Sequence, residues 1–259
     1  MLINKRTFIA EFIRRPNRFE AYVNLKGKEI VVHVPNTGRC KEILILGSKV
    51  LLREETNPSR KTLYDLIAVY KDNKIINIDS QIPNKVVDEA LKDKRIQQLV
   101  RYNIIQREKT FGKSRFDFKL SNNMGEEYYL EVKGVTFEVD GKTMFPDAPT
   151  QRGKKHLLEL IEAKKMGFGT GVLFLIQMSN VDNFSPYDDM DGAFGDALRL
   201  AYKNGVDIFA YECEVGEDFI TLNKSVEVIL WFIRLFLKGS FIFVLILQHR
   251  RLWFNWIKV

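Results

Sequence analysis

The chain has 259 residues, 46% of them apolar and 28% charged, with 40 Lys+Arg against 33 Asp+Glu and a formal net charge of +7. That length allows one or two domains with a sizeable core, and that balance excludes a disordered or membrane-embedded chain. Two cysteines far apart, Cys40 and Cys213, argue against a disulfide framework and fit a reducing cytoplasm. Residues 1–6 offer no long apolar run or small-residue cleavage site, so no signal peptide is expected.

The charge is unevenly spread. Residues 1–86 carry 16 basic and 9 acidic side chains, residues 87–230 carry 19 and 24, and residues 231–259 carry 5 and 0. A basic unit beside an acidic one suits a polyanionic partner: the first supplies phosphate contacts, and the second needs cations before it can approach a phosphate. A mildly basic solvated surface accounts for the same numbers.

In chain order, residues 18–25, 29–34, 48–54, 63–70 and 74–78 read as short strands separated by turn residues. Five such strands in about sixty residues indicate a small β-barrel of the oligonucleotide-binding type. Residues 84–100 have apolar residues at helical spacing, with Asn84 as a candidate cap. A strand at 102–107 and a hairpin at 114–134 follow, then a helix over 150–166 with a basic first turn, an apolar strand at 171–177, a helix at 189–204 and an apolar strand at 206–212. Strands alternating with helices after residue 100 predict an α/β domain.

The hairpin carries the chemistry. Its arms read S-R-F-D-F-K-L and Y-Y-L-E-V-K-G. Side chains alternate along a strand, so Glu131 and Lys133 share a face, and pairing across the turn brings Asp117 to them. Two carboxylates and a lysine can serve a divalent metal, a water nucleophile and a phosphodiester. The plain alternative is the wet face of an antiparallel pair, where charges alternate anyway. Glu108 is a candidate third carboxylate or a surface acid. Asp147, in a proline-bounded loop, either ligates the metal or caps the following helix. Gln151, Arg152, Lys155 and His156 open that helix, where a phosphate or plain solvent can meet them; His156 is also a candidate general base. In the barrel, Asn36 and Arg39 flank a donor-rich turn that either holds a phosphate or packs between domains. Arg18, Arg53 and Lys61 are candidate DNA contacts. The three histidines are scattered and have no zinc-site spacing, and no Gly-rich phosphate loop, nucleophile elbow or dinucleotide fingerprint is present.

Residues 231–259 break from this composition: they contain no Asp or Glu and are dense in Phe, Trp and Leu. The longest apolar run there, 241–247, is far below the roughly 20 residues a bilayer requires. The segment reads as an interfacial stretch, an extra packed helix, or sequence foreign to the fold.

V-P-N-T-G-R at 34–39, S-R-F-D-F at 114–118, Y-Y-L-E-V-K-G-V-T at 128–136, F-P-D-A-P-T-Q-R-G-K-K-H-L at 145–157 and F-S-P at 184–186 together resemble the bacterial sugar fermentation stimulation proteins over about residues 10–230. The resemblance implies an oligonucleotide-binding barrel over residues 1–83 and a PD-(D/E)xK nuclease-like α/β domain over 84–230, with 231–259 outside the pattern. It implies DNA as partner and no membrane. It carries the superfamily's acidic position to Asp117 and its (D/E)-x-K to Glu131 and Lys133, with Mg2+ or Mn2+ held by Asp117 and Glu131. Two functions follow from it: metal-dependent phosphodiester hydrolysis, or a non-catalytic DNA-binding regulator of sugar (maltose) metabolism.

Overall fold

The computed structural model describes residues 1–231 and the backbone of two further strands at 241–248 and 251–258. The first unit is built from β1 (Thr7–Arg14), β2 (Glu20–Leu25), β3 (Lys28–His33), β4 (Lys49–Glu54), β5 (Tyr64–Lys71) and β6 (Lys74–Asn77). Their order is β3-β2-β1-β4-β5-β6, and β3 also pairs with β5. Strands β1–β5 therefore close into a barrel, and β6 extends it from β5. The seam is the single pair His33↔Asp65. Alternate residues such as Ala10 and Phe12, or Ala21 and Val23, are buried inside it, as strand geometry requires. The sequence reading begins its strands at residue 18 and misses β1, whose Phe8-Ile9-Ala10 run hides the alternation. Its fifth strand is β6, outside the closed barrel.

Helix α1 (Ile82–Lys92) and a short 3-10 turn (Gln97–Leu99) occupy the stretch expected as one helix. Gln81 is the N-cap, with Pro83 in the first turn, where its fixed φ suits a helix start. Asn84 is thus inside the helix rather than capping it. Then come β7 (Ile104–Phe111), β8 (Ser114–Ser121), β9 (Glu127–Val135), β10 (Phe137–Val139), β11 (Lys142–Phe145), α2 (Gln151–Lys165), β12 (Gly169–Ile176), β13 (Asn183–Pro186), α3 (Asp188–Lys203), β14 (Asp207–Val215), β15 (Ile220–Ser225) and β16 (Glu227–Val228). The main sheet runs β15-β14-β12-β9-β8-β7. Its centre, β9, β12 and β14, is parallel, and its outer strands are antiparallel. A small sheet runs β10-β11-β13-β16.

Two apolar cores sandwich the main sheet. One joins Leu157, Leu160 and Ile161 of α2 and Phe194 of α3 to the barrel interior. The other packs Ile82, Val86 and Val87 of α1 on the opposite face. The barrel is pinned to the α/β unit by Gln177, whose Nε2 donates to the Asn77 carbonyl and side-chain oxygens at 3.0 Å each, and by Lys71 against Glu138 at 2.6 Å. Both cysteines are free and buried. Among the described residues no helix is long and apolar enough to cross a membrane.

The last part of the chain differs from the extra-helix expectation: β17 (Phe241–Gln248) pairs antiparallel with β18 (Arg251–Lys258). Their Phe, Ile, Val and Trp content favours strands over helix. The interfacial and foreign-sequence readings concern side chains outside the described residues.

Candidate active site

The hairpin forms as its alternation predicts, with Phe118 opposite Leu130 and Ser121 opposite Glu127. The strand is irregular at Asp117. Phe116 and Phe118, two residues apart, pack into different cores, so β8 turns its faces over between them. On the neighbouring strand Glu108, between the paired Arg107 and Lys109, has φ +53°, a conformation uncommon for a residue with a side chain.

That irregularity places Asp117 against α1 and β9. Its Oδ1 accepts from Asn84 Nδ2 at 2.7 Å, and its Oδ2 accepts from the Val132 backbone N–H at 2.7 Å. Glu131 and Lys133 lie on the α2 face of β9, as period two requires. Glu131 is 3% exposed and His156 is 4% exposed. Glu131 Oε1 is 2.5 Å from His156 Nδ1 and accepts from Lys133 Nζ at 2.5 Å. The His156 ring is set edge-on to Phe116, and Arg152 Nε lies 3.4 Å from its other nitrogen. An N–H donated by Arg152 to Nε2 makes that nitrogen the acceptor and leaves Nδ1–H to donate to Glu131.

The electrostatics follow from burial. Desolvation pushes the Asp117 carboxyl up, and the charge of Glu131 adds to it; the Val132 N–H and Asn84 offset part of this. Burial alone would also raise Glu131, but His156 and Lys133 bonded to it bring it below the usual glutamate range. Glu131 Oε2 is buried without a hydrogen-bond partner. A lone pair so placed costs on the order of 1–3 kcal/mol unless something binds it. Two mutually repelling carboxylates with one unfilled oxygen fit a hard divalent cation, which prefers oxygen ligands and, as Mg2+, needs only one or two carboxylates. Among the described residues no cluster of three or more metal-binding side chains exists, so water and backbone would complete such a site.

Residues 81–219 match the sugar fermentation stimulation protein RE domain, and residues 13–78 match the SfsA N-terminal OB domain. A sugar fermentation stimulation protein homolog from Clostridium tetani is 67% identical over 230 residues, covering 89% of this chain and all of that protein. The chain belongs to the sugar fermentation stimulation protein family. A homolog from Clostridium acetobutylicum is 62% identical over the same coverage. The solved structure of Pyrococcus furiosus SfsA in complex with Ca2+ superposes with a TM-score of 0.79 at 28% identity, covering 88% of this chain and 99% of that one. The family's two-part architecture, an OB domain followed by an RE domain, corresponds to the barrel and the α/β unit of this chain.

Within that family frame the candidates separate. Asp117, Glu131, Lys133 and His156 come together. Glu108 stays at the surface, 3.4 Å from Arg115. Asp147 is half-buried against the barrel turn: a Cβ on Gly38 would lie 2.7 Å from its Oδ2. It does not cap α2, because Thr150 does so, accepting from the Gly153 N–H. Gln151 is exposed at the start of α2, and Lys155 donates to the Lys113 carbonyl at 2.8 Å. Asn36 is a structural turn residue, donating to the Ile78 carbonyl at 2.7 Å and accepting from the Gly38 N–H. Arg53 is a correction: it is bonded to Glu55, Asp65 and Asp79 at 2.8–3.0 Å inside the barrel wall, so its charge is already neutralised and is not presented to DNA. Arg18, Arg39 and Lys61 are exposed. Asn84 was missed as a site residue because a first-turn asparagine reads as a cap; its reach to Asp117, 33 positions on, leaves no local signal.

Proposed function

We infer that this protein binds DNA and hydrolyses its phosphodiester bonds with a divalent cation, in the reducing cytoplasm, through a PD-(D/E)xK-type set of Asp117, Glu131 and Lys133. On this reading residues 1–83 hold the nucleic acid, residues 84–230 carry the chemistry, and residues 231–259 take part in neither. The observation that carries it is the buried, unpartnered Oε2 of Glu131 beside Asp117. The Ca2+ in the Pyrococcus relative's structure supports a cation here, and Mg2+ or Mn2+ suits a hydrolytic role.

Asp117 and Glu131 would hold the cation, whose contribution when bound is Lewis-acid polarisation of a phosphoryl oxygen. His156 and Lys133 fix Glu131 through one oxygen and leave the other, buried and unpartnered, for a ligand. Asn84 and the Val132 N–H hold Asp117 in one orientation. Lys133 spends one N–H on Glu131 and keeps two for a phosphate oxygen or an attacking water, placing positive charge where negative charge grows. Arg152, at the start of α2, can add a phosphate contact from the positive end of the helix.

The test is a split between binding and turnover. Lys133→Ala should lower Mn2+-dependent cleavage of a labelled oligonucleotide by about 10²-fold or more, while DNA affinity in EDTA stays within a few-fold. Full cleavage by Lys133→Ala would remove the assignment. A wild-type protein that binds DNA and never cleaves it would favour the non-catalytic regulator instead, the reading in which both Asp117 oxygens stay committed to Asn84 and Val132.

A further inference from the structure

The barrel carries a concave surface that the hydrolytic site leaves unused. A cavity of about 490 Å³ opens between the loop joining β1 to β2 and the loop joining β3 to β4. Phe12 and Leu44 line it together with Arg15, Arg18, Arg39 and Lys41, and no carboxylate lines it. Several other barrel cations are neutralised in place: Arg14 by Glu29, Arg53 by Asp65 and Asp79, Arg60 by Asp65. Among the described residues Arg18, Arg39 and Lys41 have no such partner. Gathering like charges is unfavourable unless an anion shares the space.

The cavity is also built to keep its shape. Arg15 donates to the carbonyls of Arg18, Asn36, Gly38 and Arg39 at 2.6–2.9 Å, clamping one loop to the other. Arg15 is thus the frame, and the other three cations are left for a ligand.

Next to Arg18 in the chain stands Phe19, 50% exposed. Its backbone is fixed, since its N–H donates to Asn17 Oδ1 at 2.8 Å and its carbonyl accepts from the Val34 N–H at 2.8 Å. The Arg18 guanidinium lies 5.2 Å from its ring centre. A water-exposed aromatic ring on a fixed backbone, next to an unpaired cation, is the arrangement that stacks a base while its phosphates are gripped. Only an unpaired base offers a free face; a duplex offers phosphates but keeps its base faces covered.

Thr37 and Gly38 line this cavity on one side and, on the other, a cleft of about 320 Å³ that reaches Pro83, Gly134 and Thr150. Pro83 and Gly134 are the chain neighbours of Asn84 and Lys133.

The geometry points to this cavity as a binding site for single-stranded nucleic acid, with phosphates on Arg18, Arg39 and Lys41 and an unpaired base on Phe19. Its consequence for the substrate, DNA carrying a single-stranded segment, rests on the hydrolytic reading above; the binding itself does not.

The experiment is fluorescence anisotropy with the full chain in EDTA, using a labelled single strand of about 16 nucleotides and the same sequence as a duplex. The single strand should bind at least tenfold more tightly. Phe19→Ala and Phe19→Leu should each weaken the single strand by about tenfold and leave the duplex within about twofold. Arg39→Ala combined with Lys41→Ala should weaken both and flatten the dependence on salt. These side chains are exposed, and an unchanged thermal midpoint confirms that each variant is folded. Equal losses for strand and duplex on Phe19→Ala, no loss for either, or a wild-type preference for duplex would each overturn the inference. Because EDTA removes turnover, a protein that passes here and never cleaves refutes hydrolysis alone, and one that cleaves but fails here refutes this site alone.

Discussion

Asp117 and Glu131 come from adjacent strands, yet each is oriented by a helix on a different side of the sheet: Asn84 of α1 holds one and His156 of α2 holds the other. Groups that orient ligands in this way typically change metal affinity by 10–100-fold when lost. Asn84→Ala should therefore weaken Mn2+ binding, measured by titration calorimetry, by about tenfold with little change in folding stability. His156→Ala should weaken it similarly and also destabilise the protein by about 3 kcal/mol, because it strips a partner from a buried carboxylate; His156→Gln, which keeps a donor, should recover part of both. Unaltered cation affinity in Asn84→Ala and His156→Ala would mean that these residues serve the fold alone. The sequence makes the carboxylates and the lysine visible, since period two puts Glu131 and Lys133 on one face. It hides both anchors, because each contact spans 25 or more positions and neither residue type announces it.

At the scale of elements, the barrel was legible as a group of short strands but not in its closure. β1 is masked by a run of three apolar residues, and the β3–β5 seam is one residue pair, His33↔Asp65, which no local pattern predicts. The same seam explains why Arg53 looked available: a basic residue on an amphipathic strand reads as surface until its acidic partners are brought in from β5 and from Asp79. The seam has a pH signature. Burial alone would raise the Asp65 carboxyl, but His33, Arg53 and Arg60 bonded to it hold it below the usual aspartate range. A carboxyl depressed in the folded state contributes stability that is fully present above its unfolded pKa of about 3.9 and is lost as pH falls through the folded value. Denaturant unfolding should therefore show stability falling on acidification below about pH 4, with a shallower fall in Asp65→Asn at the cost of a lower plateau near neutrality. An identical acid slope in Asp65→Asn would show that the seam does not carry this dependence. Helix α2 was legible in its extent and in its Gly167 stop, because glycine termination is local, but not in its cap: Asp147 was the candidate and Thr150 fills the role.

At the scale of the molecule, the basic first third and the acidic middle become a barrel and an α/β unit that share an apolar core and a polar joint at Gln177 and Glu138. Gly134 sits at that joint, directly after Lys133: a Cβ there would run into Gln177 Oε1 and lie 2.8 Å from Pro83 Cγ. The strand that carries Glu131 and Lys133 is thus packed against the chain that leaves the barrel, which joins the proposed nucleic-acid grip to the proposed chemistry. That arrangement was beyond reach from sequence, since neither unit alone signals how it docks. On the proposed reading, Asp117, Glu131 and Lys133 form a cation-dependent site that cuts DNA. Nicking of supercoiled plasmid in Mg2+, in Mn2+ and in EDTA, by wild type and by Asp117→Asn, tests it most directly. Wild type should nick with either metal and not in EDTA, and Asp117→Asn should lose about 10²-fold or more with DNA binding retained; nicking that persists in EDTA or in Asp117→Asn, or wild type that binds plasmid and leaves it intact under both metals, would contradict the assignment.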